Sequence, residues 1–210
     1  AEGAVTNRGV LPDDGPRAGW LERYAEARQG PEQTDRETRT FKVGNDATLD
    51  LAGVSGDVRV TGGSGNTITV EVKRPSREVV LFGIGSSPTA RLIVTMPREG
   101  NVVAKSGDGS IRIEDVQGRL DLHTGDGSIR GRDISGQMTF STGDGSVTLD
   151  SADGDLDIDT GDGSVSVSGK LGTVKLHTGD GSISLRAESN SVMTGDWAVS
   201  TGDGSVAVYL

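Results

Sequence analysis

The pentapeptide Thr-Gly-Asp-Gly-Ser stands at 124–128, 142–146, 160–164, 178–182 and 201–205, and Ser-Gly-Asp-Gly-Ser precedes it at 106–110. Its first glycines, Gly107, Gly125, Gly143, Gly161 and Gly179, are spaced by 18 residues, and the step to Gly202 is 23. A second phase, Gly118, Gly136, Gly154 and Gly172, runs about halfway between them at the same spacing and is followed by Gly195. A repeat of this regularity constrains the fold more than any other feature, because each unit must solve the same packing problem as its neighbours. The longer last step leaves room for a five-residue insertion within Ala187–Met193.

Between the glycines, apolar residues alternate. One phase carries Ile111/Ile113, Val147/Leu149, Val165/Val167, Ile183/Leu185 and Val206/Val208. The other carries Leu120/Leu122, Met138/Phe140, Leu156/Ile158, Val174/Leu176 and Trp197/Val199. Alternation over short runs bounded by turn residues is the strand signature. Strands so short cannot bury a face alone, but stacking one turn of chain on the next gives them a shared core. The expected fold is therefore all-β: a right-handed parallel β-solenoid (β-helix) with coils of about 18 residues, two short strands per coil, and a rise of about 4.8 Å per coil. Ile111, Ile129, Val147, Val165, Ile183 and Val206 are expected to form one inward ladder. The Gly-Asp-Gly corners are expected to need positive φ, which glycine supplies, with the aspartate carboxylate accepting a nearby amide.

Residues 41–210 are assigned to this domain, irregular over 41–100 and regular over 101–210. In the irregular part Leu49/Leu51, Val58/Val60 and Ile68/Val70/Val72 alternate at about nine-residue intervals. Pro75–Ala90 interrupts them as a loop, and Leu92–Met96 resumes as a strand. Residues 1–40 lack the register and read as a polar N-terminal arm, with a short helix expected around Trp20, Leu21, Tyr24 and Ala25 before Gly30-Pro31.

Composition excludes whole classes of function. With no cysteine there are no disulfides, thiolate zinc sites or cysteine nucleophiles. The net charge of −10 disfavours a nucleic-acid partner. That charge is uneven: residues 1–105 hold 14 basic and 14 acidic side chains, residues 106–210 hold 7 and 17. No run approaches the length of an apolar membrane span.

The run Leu49-Asp-Leu-Ala-Gly-Val-Ser-Gly-Asp-Val-Arg-Val-Thr-Gly, followed by the repeated Ser/Thr-Gly-Asp-Gly-Ser-hydrophobic-x-hydrophobic units, resembles the bacterial β-strand-repeat domain of unknown function often labelled putative adhesin. The resemblance covers about residues 40–210. It implies an exported protein, extracellular or at the cell surface with the periplasm as the other compartment, and it brings no catalytic residue or cofactor. A start at Ala1 agrees with a processed or trimmed product. The family's pattern continues past the Tyr-Leu strand where this chain stops, so an open last coil is expected.

Asp108, Asp126, Asp144, Asp162, Asp180 and Asp203 are the candidate metal residues, one per coil along one edge, and Ca²⁺ is the ion that nine-residue Gly/Asp repeats bind. Against this, only alternate units carry Gly-Asp-Gly, and Ca²⁺ takes six to eight oxygens. A hydrated turn ladder is the simpler reading. His123 and His177, three coils apart, read as exposed face residues. Outward Ser, His and Asp ladders offer no cleft for a nucleophile and its base, so no enzyme is expected. An ice-binding face would want paired threonines on one flat strand face, whereas here Thr and Ser bracket the turn. Carbohydrate binding would ordinarily recruit exposed aromatics, of which the chain has few, and Trp197 falls in the core phase. The expected function is a non-enzymatic structural or surface protein, adhesin-like, associating end to end through residues 1–40 and the C-terminal coil. The alternative is a cation- or ligand-binding module using the Gly-Asp-Gly ladder.

Overall fold

Fourteen strands and no helix make up the described residues of the computed structural model, which are 34–44, 47–54, 56–75, 91–189 and 191–210. In chain order they are β1 (Thr34–Lys42), β2 (Thr48–Val54), β3 (Val58–Gly63), β4 (Thr67–Pro75), β5 (Arg91–Pro97), β6 (Asn101–Ser106) and β7 (Ile111–Glu114). There follow β8 (Gln117–Thr124), β9 (Ile129–Thr142), β10 (Val147–Thr160), β11 (Val165–Thr178), β12 (Ile183–Ala187), β13 (Trp197–Thr201) and β14 (Val206–Tyr209). They form an open sheet, not a closed barrel.

From β6 onward every pairing is parallel, and it advances by 18 residues per layer until the insertion before β13, except where Ala152–Gly154 of β10 meets Gly169–Leu171 of β11 at a step of 17. Val147 lies between Ile129 and Val165, and Leu156 between Met138 and Val174. Two ladders result. One runs β5-β3-β7-β9-β10-β11-β12-β14; the other runs β2-β6-β8 and then through the second halves of β9, β10 and β11 to β13. The alternation read from the sequence is what each ladder buries. Ile111, Ile129, Val147, Val165 and Ile183 are stacked and no more than 2% exposed, and their inward neighbours on the other ladder join the same continuous core. Val206, at the far rung of the first column, is 44% exposed. The insertion expected near Ala187–Met193 lies between β12 and β13, where Ser191 accepts the Leu171 amide and so ties the excursion back to β11.

The irregular part departs from simple stacking. The strand holding Ile68, Val70 and Val72 is not a further coil: β4 runs antiparallel to β5, and β1 runs antiparallel to β4. The chain leaves β3, makes β4 one place further out, and returns with β5 into the gap, where β5 pairs parallel with β3. Two antiparallel strands thus cover that edge, and their backbone groups pair without needing the Gly-Asp-Gly turn that this segment lacks. The expected boundary at 40/41 falls inside β1; the compact unit starts at Thr34. Residues 34–40, expected as part of the arm, therefore belong to the sheet of their own chain. The helix expected around Trp20–Ala25 and most of the loop at 75–90 lie outside the described residues.

The turn glycines need space rather than left-handed backbone. In the regular part positive φ occurs at the opposite corner, at Gly118, Gly136, Gly154 and Gly169 (152°, 115°, 128° and 149°) and at Asp115, Asp133 and Ser151 (58°, 50° and 57°); on the Gly-Asp-Gly edge it occurs at Gly56 (144°), below the first such turn. At the Gly-Asp-Gly corner the reason for glycine is close approach. A Cβ on Gly127, Gly145, Gly163, Gly181 or Gly204 would collide with the carbonyl of the matching glycine one layer below. Gly163→Ala is expected to lower stability by more than about 2 kcal/mol, because only backbone can give way. Gly107→Ala, where an added Cβ meets nothing within 4 Å, is expected to stay within about 0.5 kcal/mol. Equal losses in thermal melts would contradict this account.

Candidate functional site

The Gly-Asp-Gly corner is built by a hydrogen-bond ladder along the stack. The amides of Gly125, Gly143, Gly161, Gly179 and Gly202 donate to the carbonyls of Gly107, Gly125, Gly143, Gly161 and Gly179 at 2.5–2.7 Å. Inside each turn sits the Thr that opens the pentapeptide. Thr124, Thr142, Thr160 and Thr178 are at most 4% exposed. Each hydroxyl is placed between two carbonyls of the preceding layer: Thr160 Oγ1 donates to Gly145 at 3.0 Å and to Gly143 at 3.3 Å, and Thr178 repeats this with Gly163 and Gly161. Ser106 makes the same pair of contacts to Val54 and Gly56. In the sequence Thr only brackets the turn, whereas in the fold its hydroxyl is buried inside it. The signal was present: each Thr stands two residues after an inward apolar residue (Leu122, Phe140, Ile158, Leu176), so the alternation itself points it inward.

Asp108, Asp126, Asp144, Asp162, Asp180 and Asp203 occupy equivalent positions on successive turns, all exposed. Their amides help to bind layers, as when Asp162 and Asp180 donate to Gly143 and Gly161 at 3.3 Å. Their carboxylates do not accept the amide bond expected of them; at two turns that part is taken by the Thr hydroxyl, which accepts from the amides of Gly181 and Gly204. Among the described residues no three Asp, Glu or His side chains converge as a metal would require. The turn brings one carboxylate per layer to solvent.

The second ladder shows an outward column Asp159, His177, Ser200 on adjacent strands, with His177 Nδ1 at 3.0 Å from Ser200 Oγ. Asp159 makes no ion pair with the ring among the described residues, and all three side chains are exposed. A nucleophile needs a base that is itself oriented within a formed cleft, and this column has neither. His123 is likewise exposed. Trp197 is half-buried, as its phase implied, and donates its indole N–H to the Gly172 carbonyl at 2.7 Å.

Two carboxylates are tuned by neighbours. The Arg59 guanidinium, 2.8 Å from Glu114, holds that carboxyl below its usual range, and the Thr173 amide does the same for Asp155 at 2.8 Å. Both shifts favour the charged form and mark structural ties between layers rather than acids poised for proton transfer.

Thr160→Val is expected to cost about 1–3 kcal/mol by leaving the Gly145 carbonyl without its donor, whereas Thr160→Ser retains most of the stability; urea melts of the two variants check this. Thermal melts in excess Ca²⁺ and in EGTA are expected to coincide. A large Ca²⁺-dependent rise would instead assign the aspartate edge to a cation.

A solved structure shares the fold. A crystal structure described as a putative cell adhesion protein from Clostridium sporogenes ATCC 15579 matches with a TM-score of 0.52 and 11% identity, over 84% of this chain and 99% of the other. A second, described as a putative lipid binding protein from Parabacteroides distasonis ATCC 8503, matches with a TM-score of 0.30 and 11% identity, over 84% and 98%. No curated protein matches the chain. The family model described as Toastrack DUF4097 matches residues 98–210, the stretch in which the 18-residue register is unbroken up to the insertion, and the chain belongs to that family of solenoid-like β proteins.

Proposed function

We propose that this chain is a non-enzymatic, exported structural element of the cell surface or its matrix, adhesin-like, wound as a right-handed parallel β-solenoid with 18-residue coils of two strands. The hand follows from the rule for parallel strands joined by crossovers, which applies wherever twisted strands pack back on one sheet. The observation that carries the functional reading is the regularity of the stack. The same outward positions recur layer after layer, and what the repeat secures is length and regularity rather than an enclosed cavity. The neighbour described as a cell adhesion protein supports the same class by its fold. A stack of this kind gains about 4.8 Å per 18 residues at constant width, which suits a part that must present a long, stiff face.

The test is location. Intact source cells are treated with a protease that does not enter them, and the chain is followed with an antibody against residues 98–210. Digestion before lysis is the expected result. Full protection until lysis would overturn a cell-surface placement.

A further inference from the structure

We infer that the outward face of the first ladder is a docking groove for an acidic polysaccharide, held by five cations from five adjacent strands. The inference rests on the surface-protein reading above and names the partner class. Lys73 on β4, Arg91 on β5, Arg59 on β3, Arg112 on β7 and Arg130 on β9 line one open groove of about 490 Å³. In a chain of net charge −10 that is a local reversal of sign. The register makes it ordered: Arg59, Arg112 and Arg130 are direct partners on consecutive parallel strands, and Lys73 is the direct partner of Arg91.

Placing three arginines side by side on strands about 4.8 Å apart costs electrostatic repulsion unless anions lie over them. The chain supplies only part of that. Glu114 takes Arg59 at 2.8 Å, Asp57 stands 3.7 Å from Arg91, and Glu71 stands 3.8 Å from Lys73. Arg112 and Arg130 have no carboxylate within ion-pair distance among the described residues. Guanidinium groups in this state are forks waiting for planar carboxylates.

The rest of the column selects the kind of polyanion. Beyond Arg130 the same outward position is held by Thr148, Ser166 and Ser184, all exposed. A chain lying along the stack therefore meets guanidinium donors first and hydroxyls next, which complement a sugar polymer bearing both carboxylates and ring hydroxyls. A nucleic acid would want aromatic platforms for its bases, and this column has none. No aromatic residue lines the groove, which argues against neutral sugars, since these stack on rings, and leaves charge as the means of holding a glycan.

The experiment uses the full chain and three probes: polygalacturonate, neutral dextran and single-stranded DNA, measured by affinity electrophoresis and calorimetry at low and high salt. Retention by polygalacturonate at low salt, weakened at high salt, with neither dextran nor DNA bound as tightly, is the expected pattern. Arg112→Ser combined with Arg130→Ser is expected to weaken binding at least about tenfold. Both positions are exposed, and an unchanged melting temperature would show that the fold survives. Asp162→Asn combined with Asp180→Asn, on another edge, should leave binding within about twofold, as expected of remote, independent sites. No binding to polygalacturonate, equal binding by the arginine double variant, or tighter binding to DNA would each overturn the inference. A surface-exposed chain that ignores polygalacturonate sinks the groove alone, whereas a chain protected inside intact cells sinks the surface reading.

Discussion

The structure depends on how closely one Gly-Asp-Gly turn can lie on the next. Amide-to-carbonyl bonds of 2.5–2.7 Å between successive glycines set the distance between layers at that corner, and no side chain larger than hydrogen fits at the second glycine. Strand pairing on both ladders needs the same spacing. If one turn were held apart by a methyl group, the parallel bonds of β9, β10 and β11 on either side would have to stretch or shear. The corner therefore meters the stack, and the two ladders inherit its step.

The buried threonine completes the corner. Of the two carbonyls that face the interior, the first glycine's already accepts the next layer's amide, but the second glycine's would be an unpaired acceptor, costly when shut away from water. Thr, or Ser at position 106, places one hydroxyl between them and fills the remaining space with a methyl or nothing. It bonds to the layer below, so it also joins neighbouring repeats. The exposed aspartate on the same turn keeps the edge hydrated and charged. One pentapeptide thus divides its work: glycines for approach, threonine for the interior, aspartate for solvent.

The two functional readings draw on different consequences of that regularity. Repetition gives a stiff, extended face, which is what a structural surface element needs. It also places outward side chains in columns, so a few substitutions in one column make a continuous strip of one character. Arg59, Arg112 and Arg130 form such a strip, and their concentration near β3 explains how an acidic chain keeps a basic face.

The regular half was legible before any coordinates because its information is local and periodic. Spacing determined the 18-residue step, alternation determined which residues are inward, and the fixed offset of Thr from the last apolar residue determined a burial that was nonetheless overlooked. The conformational role of glycine was misassigned, since a sequence shows that glycine is required but not whether positive φ or crowding requires it; φ appears only once layers are stacked. The irregular half was decided by tertiary structure. Ile68, Val70 and Val72 alternate as the coil strands do, and nothing local says that β4 runs antiparallel or that β5 returns between β3 and β4. That choice belongs to the edge of the stack, where there is no preceding layer to match and unpaired backbone groups take whichever partner reaches them. The same insertion brings Lys73 and Arg91 beside Arg59, 14 and 32 residues away in sequence. Such a juxtaposition exists only in the folded sheet, because it is set by strand order and not by spacing along the chain.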